Sequence, residues 1–460
     1  MKVTFESLGN VDKAELELND LMIFTGQSNS GKTYLNYALY ALLDRRYRFI
    51  SESAYFHQLV VDLNEKGTIT ISLQEMLDEL LVKITKAFEK NFAKNMPRFF
   101  SAPSEHFDKF KVNVLLNTKK LSKELHEKPY FEKLRAINEK AFFQIVKEKN
   151  SDIITFLLNK DDEVPLRIYV DFVTESMYRF ILKDFYNQCF ILPSERSGLN
   201  LFYPELNSQR NSLINHLQKN KINPLEVMQD LIISKYPQPI ADYIDFLNNA
   251  QFINKNKSDL SVHSDFLRKS IVSGRYKVDK DGIQFLPYKN NKIKNPSQRR
   301  NIDLHLASST AKTLFSLDVY IQSLASVGGY LIIDEPELNL HPDNQRKLAR
   351  LLVRLVNVGV NVIVSTHSDY IIKEINNLIM LSEDFNGRDE LMAKYGYDES
   401  EVLAPAKVSP YLVKDGNVLP MEINLKEGII ASTFDEVINQ LNESSDDIFY
   451  KKLDSESLKE

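Results

Sequence analysis

The stretch "LMIFTGQSNSGKTYLNYALYALL", residues 21–43, decides the fold. Leu21 to Thr25 read as a buried strand, "GQSNSGKT" (Gly26 to Thr33) as a turn bounded by glycines, and "YLNYALYALL" as a helix. Strand, loop and helix in that order are the setting that gives a G-x-x-x-x-G-K-[ST] pattern its meaning as a phosphate-binding loop. Gly26 and Gly31 let the main-chain N–H groups of Gln27, Ser28, Asn29 and Ser30 turn toward a phosphate chain. Lys32 brings a point charge to the terminal phosphates, and the Thr33 hydroxyl is placed to coordinate magnesium at the positive end of the helix.

Upstream, "MKVTFESLGNVDKAELELND" alternates apolar and polar residues and predicts a strand pair. Far downstream, "YLIIDEPELNLHP" (330–342) is an apolar strand that delivers two acids at its carboxyl end. Asp334 suits magnesium and Glu335 suits the polarisation of an attacking water. Adjacent acids at a strand tip are costly unless a cation or substrate sits between them. The helical "NQRKLARLLVRLV" separates this strand from "VIVSTHSDY", whose apolar run ends in Ser365, Thr366 and His367. Apolar strand, helix, apolar strand predicts parallel strands with crossover helices, so the expected fold class is α/β. An imidazole at that place can contact a terminal phosphate and report its loss.

The remaining composition narrows the function. At 460 residues, 43% hydrophobic and 26% charged, the chain has the make-up of a globular protein, and 58 basic against 63 acidic residues give a net charge of −5 with no global attraction to nucleic acid. Cys189 is the only cysteine, which excludes an internal disulfide and a CxxC metal site. The opening residues lack a signal-peptide core, and no apolar run approaches the roughly 18 residues of a membrane span. A cytoplasmic location and no membrane partner are expected.

Six segments follow from these patterns: 1–70, the first part of a head; 71–188, a mainly helical insertion; 189–204, a return strand and the turn "LPSERSGL"; 205–265, a second helical segment; 266–380, the rest of the head; and 381–460, a hairpin and helix packed on it. Leu73, Leu77, Leu80, Ile84 and Phe88 recur at helical spacing. "GRYKVDKDGIQFLPY" and "YLVKDGNVLPMEI" read as hairpins. "KNNKIKNPSQRRN" (289–301) carries five basic residues and no acid, which fits a solvated loop or a contact with nucleic-acid phosphates.

At "TGQSNSGKTYL", "LIIDEPELNLHP" and "VIVSTHSDYII" the chain resembles the ABC-type ATPases of the SMC, RecF and OLD group. The resemblance implies an ABC-type head, a P-loop core sheet plus an antiparallel β-subdomain, with insertions between Walker A and Walker B. It implies ATP and Mg2+ as ligands, with Lys32 and Thr33 on phosphates and magnesium, Asp334 on magnesium, Glu335 as the base and His367 as the switch. Asn339 and His341 would lie in the D-loop. In this group ATP is sandwiched between two subunits, one lending a signature sequence to the other's site, so the chain would form an ATP-dependent homo-oligomer. "LASSTAK" (306–312), one helix before "LIIDE", has the place of that signature, with Ser308 and Ser309 reaching the γ-phosphate and Thr310 where glycine is usual. The same residues also describe an ordinary serine N-cap.

"LPSERSGL" resembles a segment of the OLD-like branch, where Glu195 and Arg196 would link the insertion to the magnesium site; an exposed salt bridge is the other reading. No cluster of acids of the TOPRIM nuclease type follows His367, and the chain resembles the stand-alone ATPase subunits of antiphage systems of the PARIS type, the AriA-like ATPases. That likeness implies a separate TOPRIM effector nuclease as partner, a phage-encoded trigger, and slow, regulatory hydrolysis. Nucleic acid is compatible with this reading and not required by it. The alternative is a DNA-repair or DNA-clamping ATPase of the SMC/RecF kind.

Overall fold

Alternating apolar residues at the N-terminus fold as a hairpin, β1 (Lys2–Leu8) with β2 (Val11–Glu17), and the apolar run that follows is β3 (Leu21–Gly26). The computed structural model describes residues 1–44, 54–135, 141–159, 165–182, 188–203, 236–279, 282–288, 301–430 and 432–457. After the P-loop come α1 (Lys32–Leu43), α2 (Ala54–Lys66), β4 (Thr68–Ser72), α3 (Leu73–Phe100), β5 (Lys111–Leu115) and α4 (Thr118–Glu127). Strands β6 (Tyr130–Arg135), β7 (Ala141–Lys147) and β8 (Ile153–Leu158) precede α5 (Leu166–Ile181), β9 (Cys189–Leu192) and α6 (Gln238–Ile253). The next elements are β10 (Gly274–Asp279), β11 (Gly282–Pro287), β12 (Ile302–Asp303), α7 (Ser309–Ser323), β13 (Tyr330–Asp334), α8 (Pro342–Asn357), β14 (Asn361–Ser365) and α9 (Asp369–Met380). The chain ends with α10 (Arg388–Tyr395), β15 (Val408–Lys414), β16 (Asn417–Pro420), β17 (Ile423–Asn424), β18 (Gly428–Ile429) and α11 (Ser432–Ser457).

The central sheet has nine strands in the order β5-β1-β2-β16-β15-β3-β14-β13-β9. From β15 to β9 neighbouring strands are parallel, while β1 runs antiparallel to both of its neighbours, β5 and β2. Strands β3, β13 and β14 are continuous apolar runs because helices cover both faces. Met22 and Phe24 pack with Leu35, Leu39, Ile191 and Ile332 on the α1 side, while Leu21 and Ile23 pack with Leu331, Ile333, Leu314 and Leu352 on the other. Each such side chain, fully buried, stabilises by roughly 1.5–3 kcal/mol. All the parallel strands therefore end together at the carboxyl edge, where the P-loop, Asp334 and Ser365 are presented.

The expected α/β head is present, and its organisation differs from expectation in three places. Segment 71–188 also carries strands: β6, β7 and β8 join β4 in a four-stranded antiparallel sheet, order β4-β8-β7-β6, because "ITFLL" and "AFFQIVK" bury alternate apolar residues such as Ile154, Phe156, Phe143 and Ile145. The boundary expected at residue 70 falls inside β4. Its core is separate, yet α3 spans two cores: Leu73 to Leu81 belong to the insertion, and Phe92 to Phe100 to the head. Strand β5, from the same segment, is the edge of the central sheet.

The C-terminal hairpin, expected to pack on the head, instead lies within its sheet. Val408–Val413 pair in parallel with Leu21–Gly26, and β16 pairs with β2, so the hairpin joins the antiparallel part to the parallel part. The buried Tyr411, Val413 and Val418 supply the apolar surface that such a central position needs. Helix α11 is present, but residues 440–452 are exposed throughout rather than packed on the head. The first half of the expected second helical segment, 205–235, and the basic tract 289–300 lie outside the described residues. Among the described residues no helix is long and apolar enough to cross a membrane.

Candidate functional site

Backbone geometry shows why the loop after β3 needs its glycines. Gly26 has φ 140° and a Cβ there would stand 2.2 Å from the carbonyl oxygen of Val413, while Gly31 has φ 105° and would meet Val11 Cγ2 at 2.6 Å. Both are left-handed positions that other residues adopt only under strain. Gln27, Ser28 and Asn29 are exposed, Asn29 at φ 63°, with its carbonyl accepting from Asn10 Nδ2 at 2.9 Å. Ser30 N donates to Gln27 O at 3.4 Å, closing the loop. Gly31 caps α1 with no side-chain cap, so no cap side chain competes for the first N–H groups of the helix, the end where an anion is favoured.

Lys32 begins α1, and its ammonium donates to Gly26 O (3.1 Å), Gln27 O (2.7 Å) and Ser30 Oγ (3.3 Å). Burial pushes its pKa down, and the negative charges of Asp334, Glu335 and Glu337 oppose that shift. Thr33 Oγ1 donates to Asp334 Oδ2 at 2.8 Å. Asp334 is almost fully buried and also accepts from Asn36 Nδ2 (3.1 Å) and from the Ser365 hydroxyl, while Asn36 Nδ2 donates to Ser365 Oγ at 2.8 Å. A threonine hydroxyl and a carboxylate, both hard oxygens at a helix N-terminus, fit magnesium. No group of three or more His, Cys, Asp and Glu able to hold a metal exists among the described residues. Magnesium usually keeps several waters and takes one or two carboxylates plus substrate phosphates, so the donor set fits without such a group.

Glu335 follows the strand at φ 50°, its N–H donating to Ser365 O at 2.9 Å. Its carboxylate is partly exposed and lies 3.7 Å from His367 Nε2. Burial raises the Glu335 pKa, reinforced by Asp334 and Glu337 and opposed by Lys32 and Arg196. Burial also lowers the His367 pKa, with Lys32 adding to the shift and Asp334 opposing it. A carboxylate whose proton affinity burial raises, beside an imidazole whose protonation burial disfavours, suits proton transfer.

Three residues of this constellation were not singled out from the sequence. Asn36, one helical turn after Thr33, shares its face, and that i+3 spacing was the available signal. Ser365 is marked in the sequence only as the end of its strand. Glu337 is half-buried, its pKa raised by burial, and holds the segment before His367: Oε2 accepts from Thr366 Oγ1 at 2.8 Å and Oε1 from His367 N at 2.6 Å.

"LPSERSGL" turns after β9 and becomes helical over 196–203. Arg196 is buried, and its guanidinium donates to the carbonyls of Pro193 (3.0 Å), Asp334 (2.6 Å) and Glu335 (2.6 Å). It thus reaches the carboxyl end of β13 through main chain. Glu195 is exposed and lies near the buried Tyr37 hydroxyl, whose pKa burial raises; it forms no ion pair with Arg196.

Ser308 is the N-cap of α7, its Oγ accepting from Ala311 N at 3.2 Å, and both Ser308 and Ser309 are exposed. Among the described residues no hydrogen bond joins either serine to Gly26–Thr33. The next residue of the helix reaches the segment after β13: Thr310 Oγ1 donates to Asn339 O at 3.3 Å, and Asn339 Nδ2 donates to Ser197 Oγ (3.0 Å) and Thr313 Oγ1 (3.4 Å). Asn339 is exposed at φ 58°, and His341 caps α8 by accepting from Asp343 N at 3.3 Å.

Comparison with known proteins adds a family. The cell division ATP-binding protein FtsE of Streptococcus pneumoniae (strain D39) is 38% identical over 72 residues, 15% of this chain and 30% of that protein, and FtsE of strain R6 matches equally. The chain therefore spans under a third of the length of these curated relatives. A solved SMC head bound to the C-winged helix domain of ScpA is 12% identical with a TM-score of 0.32, covering 92% of this chain and 97% of that one. The SMC head domain from Thermotoga maritima gives 12% and 0.31, covering 92% and 98%. A family model described as an AAA ATPase domain matches residues 1–372, which takes in the P-loop, Asp334, Glu335 and His367. The chain belongs to that AAA ATPase domain family.

Proposed function

We propose that the chain binds and hydrolyses Mg-ATP in the manner of an ABC-type ATPase, and the observation that carries this is the contact of Thr33 with Asp334 beside Lys32 and Glu335. Lys32 and the loop amides hold the phosphates; Thr33 and Asp334 hold the metal. Magnesium, when bound, neutralises charge on the phosphate oxygens. Glu335 accepts the proton of the attacking water, and His367, whose Nε2 lies 3.7 Å from its carboxylate, is the switch that contacts the terminal phosphate.

In this reading a second copy lends Ser308 and Ser309 to the site, which their exposure at the start of α7 permits. ATP then joins two heads in the cytoplasm. The glycine-free signature suits slow turnover, and slow turnover suits a sensor or scaffold: an antiphage complex of the PARIS type that restrains a separate TOPRIM nuclease until a phage-encoded trigger acts. Mass measurement of the Glu335→Gln chain with and without Mg-ATP, alone and with a separate TOPRIM nuclease, tests it. ATP-dependent dimers or larger assemblies that retain the partner are expected. A monomer at saturating ATP removes the shared site, and hydrolysis stimulated by duplex DNA with no protein partner retained turns the reading to a DNA-clamping ATPase.

A further inference from the structure

The guanidinium of Arg196 reaches the carbonyls of Asp334 and Glu335, the two residues assigned to metal and base, at 2.6 Å each. Between those carbonyls the chain enters the left-handed region at Glu335, φ 50°, a conformation that a non-glycine residue keeps only where its surroundings enforce it. Pro336 follows directly, which narrows the backbone choices of Glu335 further. A planar fork with two donors can grip consecutive carbonyls in one orientation; an ammonium is a single point and cannot.

The turn that carries Arg196 also grips α7. Ser197 Oγ and Thr313 Oγ1 are 2.7 Å apart, and Asn200 Nδ2 donates to Lys312 O at 2.7 Å. Asn200 Oδ1 accepts from Tyr243 Oη at 2.8 Å, and Asn339 of the D-loop donates to Ser197. One short turn therefore hydrogen-bonds the helix that bears Ser308 and Ser309 and the peptide that bears Glu335.

We propose that Arg196 is a positioning residue for hydrolysis: it fixes the Asp334–Glu335 main chain so that the Glu335 carboxylate is aimed, and its turn ties that aim to the position of α7. This rests on Glu335 acting as the base of an ATPase. Arg196 touches neither nucleotide nor metal in this role. Its loss misdirects the base while leaving the phosphate-binding loop intact, and a displacement near 1 Å at a reacting group can cost about 100-fold in rate.

The test compares wild-type, Arg196→Met and Arg196→Lys full chains by melting, by nucleotide Kd in magnesium, and by kcat and KM for phosphate release. Arg196→Met is expected to bind ATP with unchanged Kd and to lose roughly 10–100-fold in kcat. Arg196→Lys is expected to fall between it and the wild type, because one carbonyl contact is restored. A folded Arg196→Met chain with wild-type kcat, or one whose affinity and kcat fall together, overturns the proposal. Should Arg196→Met fail to fold, Arg196→Lys decides: a lowered kcat at unchanged Kd supports the role, and wild-type kcat overturns it. A wild-type chain that neither binds nor hydrolyses ATP overturns the reading of the whole site, whereas an active wild type with an indifferent Arg196→Met removes the positioning role alone.

Discussion

Thr33 Oγ1 donates a hydrogen bond of 2.8 Å to Asp334 Oδ2 across 301 positions of sequence. Asn36 orients the acid from the other side, donating to Asp334 Oδ1 at 3.1 Å and to Ser365 Oγ at 2.8 Å. A ligand to a metal is held by such partners, and their loss typically costs about 10–100-fold in affinity or activity. Asn36→Ala is expected to lower the magnesium-dependent rate by that order, with nucleotide binding in EDTA unaffected. Titration of activity against magnesium checks it, and an unchanged magnesium requirement counts against the metal assignment.

Lys32→Ala removes an ammonium from the P-loop. A hydrogen bond to a charged group contributes about 1.5–3 kcal/mol, so ATP affinity is expected to fall roughly 10–100-fold. Equilibrium binding of a fluorescent ATP analogue reads this directly. Equal affinity in the variant and the wild type excludes the loop assignment.

The pair Arg268–Asp318 gives a prediction outside the site. Arg268 Nε and Nη2 donate to the two oxygens of Asp318 at 2.7 Å each, and the Asp318 side chain is only 2% exposed. Breaking a buried pair from one side typically costs about 3–5 kcal/mol, because a charge is left without compensation. Arg268→Ala is expected to lower the urea midpoint markedly at pH 7.

Acid should relieve that defect. Burial already raises the Asp318 pKa above 3.8, and Arg268 is what opposes the rise. Without Arg268 the folded state keeps a proton that the unfolded chain has released. The deficit against wild type therefore grows as pH rises through the folded pKa and shrinks as pH falls below it. Denaturation midpoints of the two proteins from pH 7 down toward pH 4 measure the difference, and a constant difference across that range contradicts it.

Much of the head is legible in residues 21–43, 330–342 and 362–370, because continuous apolar strands ending in a glycine loop, an acid pair and a polar turn leave few alternatives. Less legible is what long-range pairing decides. "YLVKDGNVLPMEI" announces a hairpin, but nothing local says that it enters the sheet between β3 and β2. The strands of the insertion have the same cause: "AFFQIVK" and "ITFLL" are short apolar runs that fit strand or helix until a partner is known. At the site, Thr33 meets Asp334 and Glu335 lies beside His367, as their places at the ends of neighbouring strands suggest. Arg196 fits two readings in the sequence, and its buried contact with main-chain carbonyls has no sequence signature.

Phosphate release from saturating Mg-ATP, measured side by side for the wild-type chain and Glu335→Gln, bears most directly on the claim that this site hydrolyses ATP with Glu335 as base. Removing a positioned general base typically costs about 10²–10⁴-fold, and the variant should lose that much rate while still binding ATP. Equal rates in the two proteins, or no release by the wild type, would contradict the account.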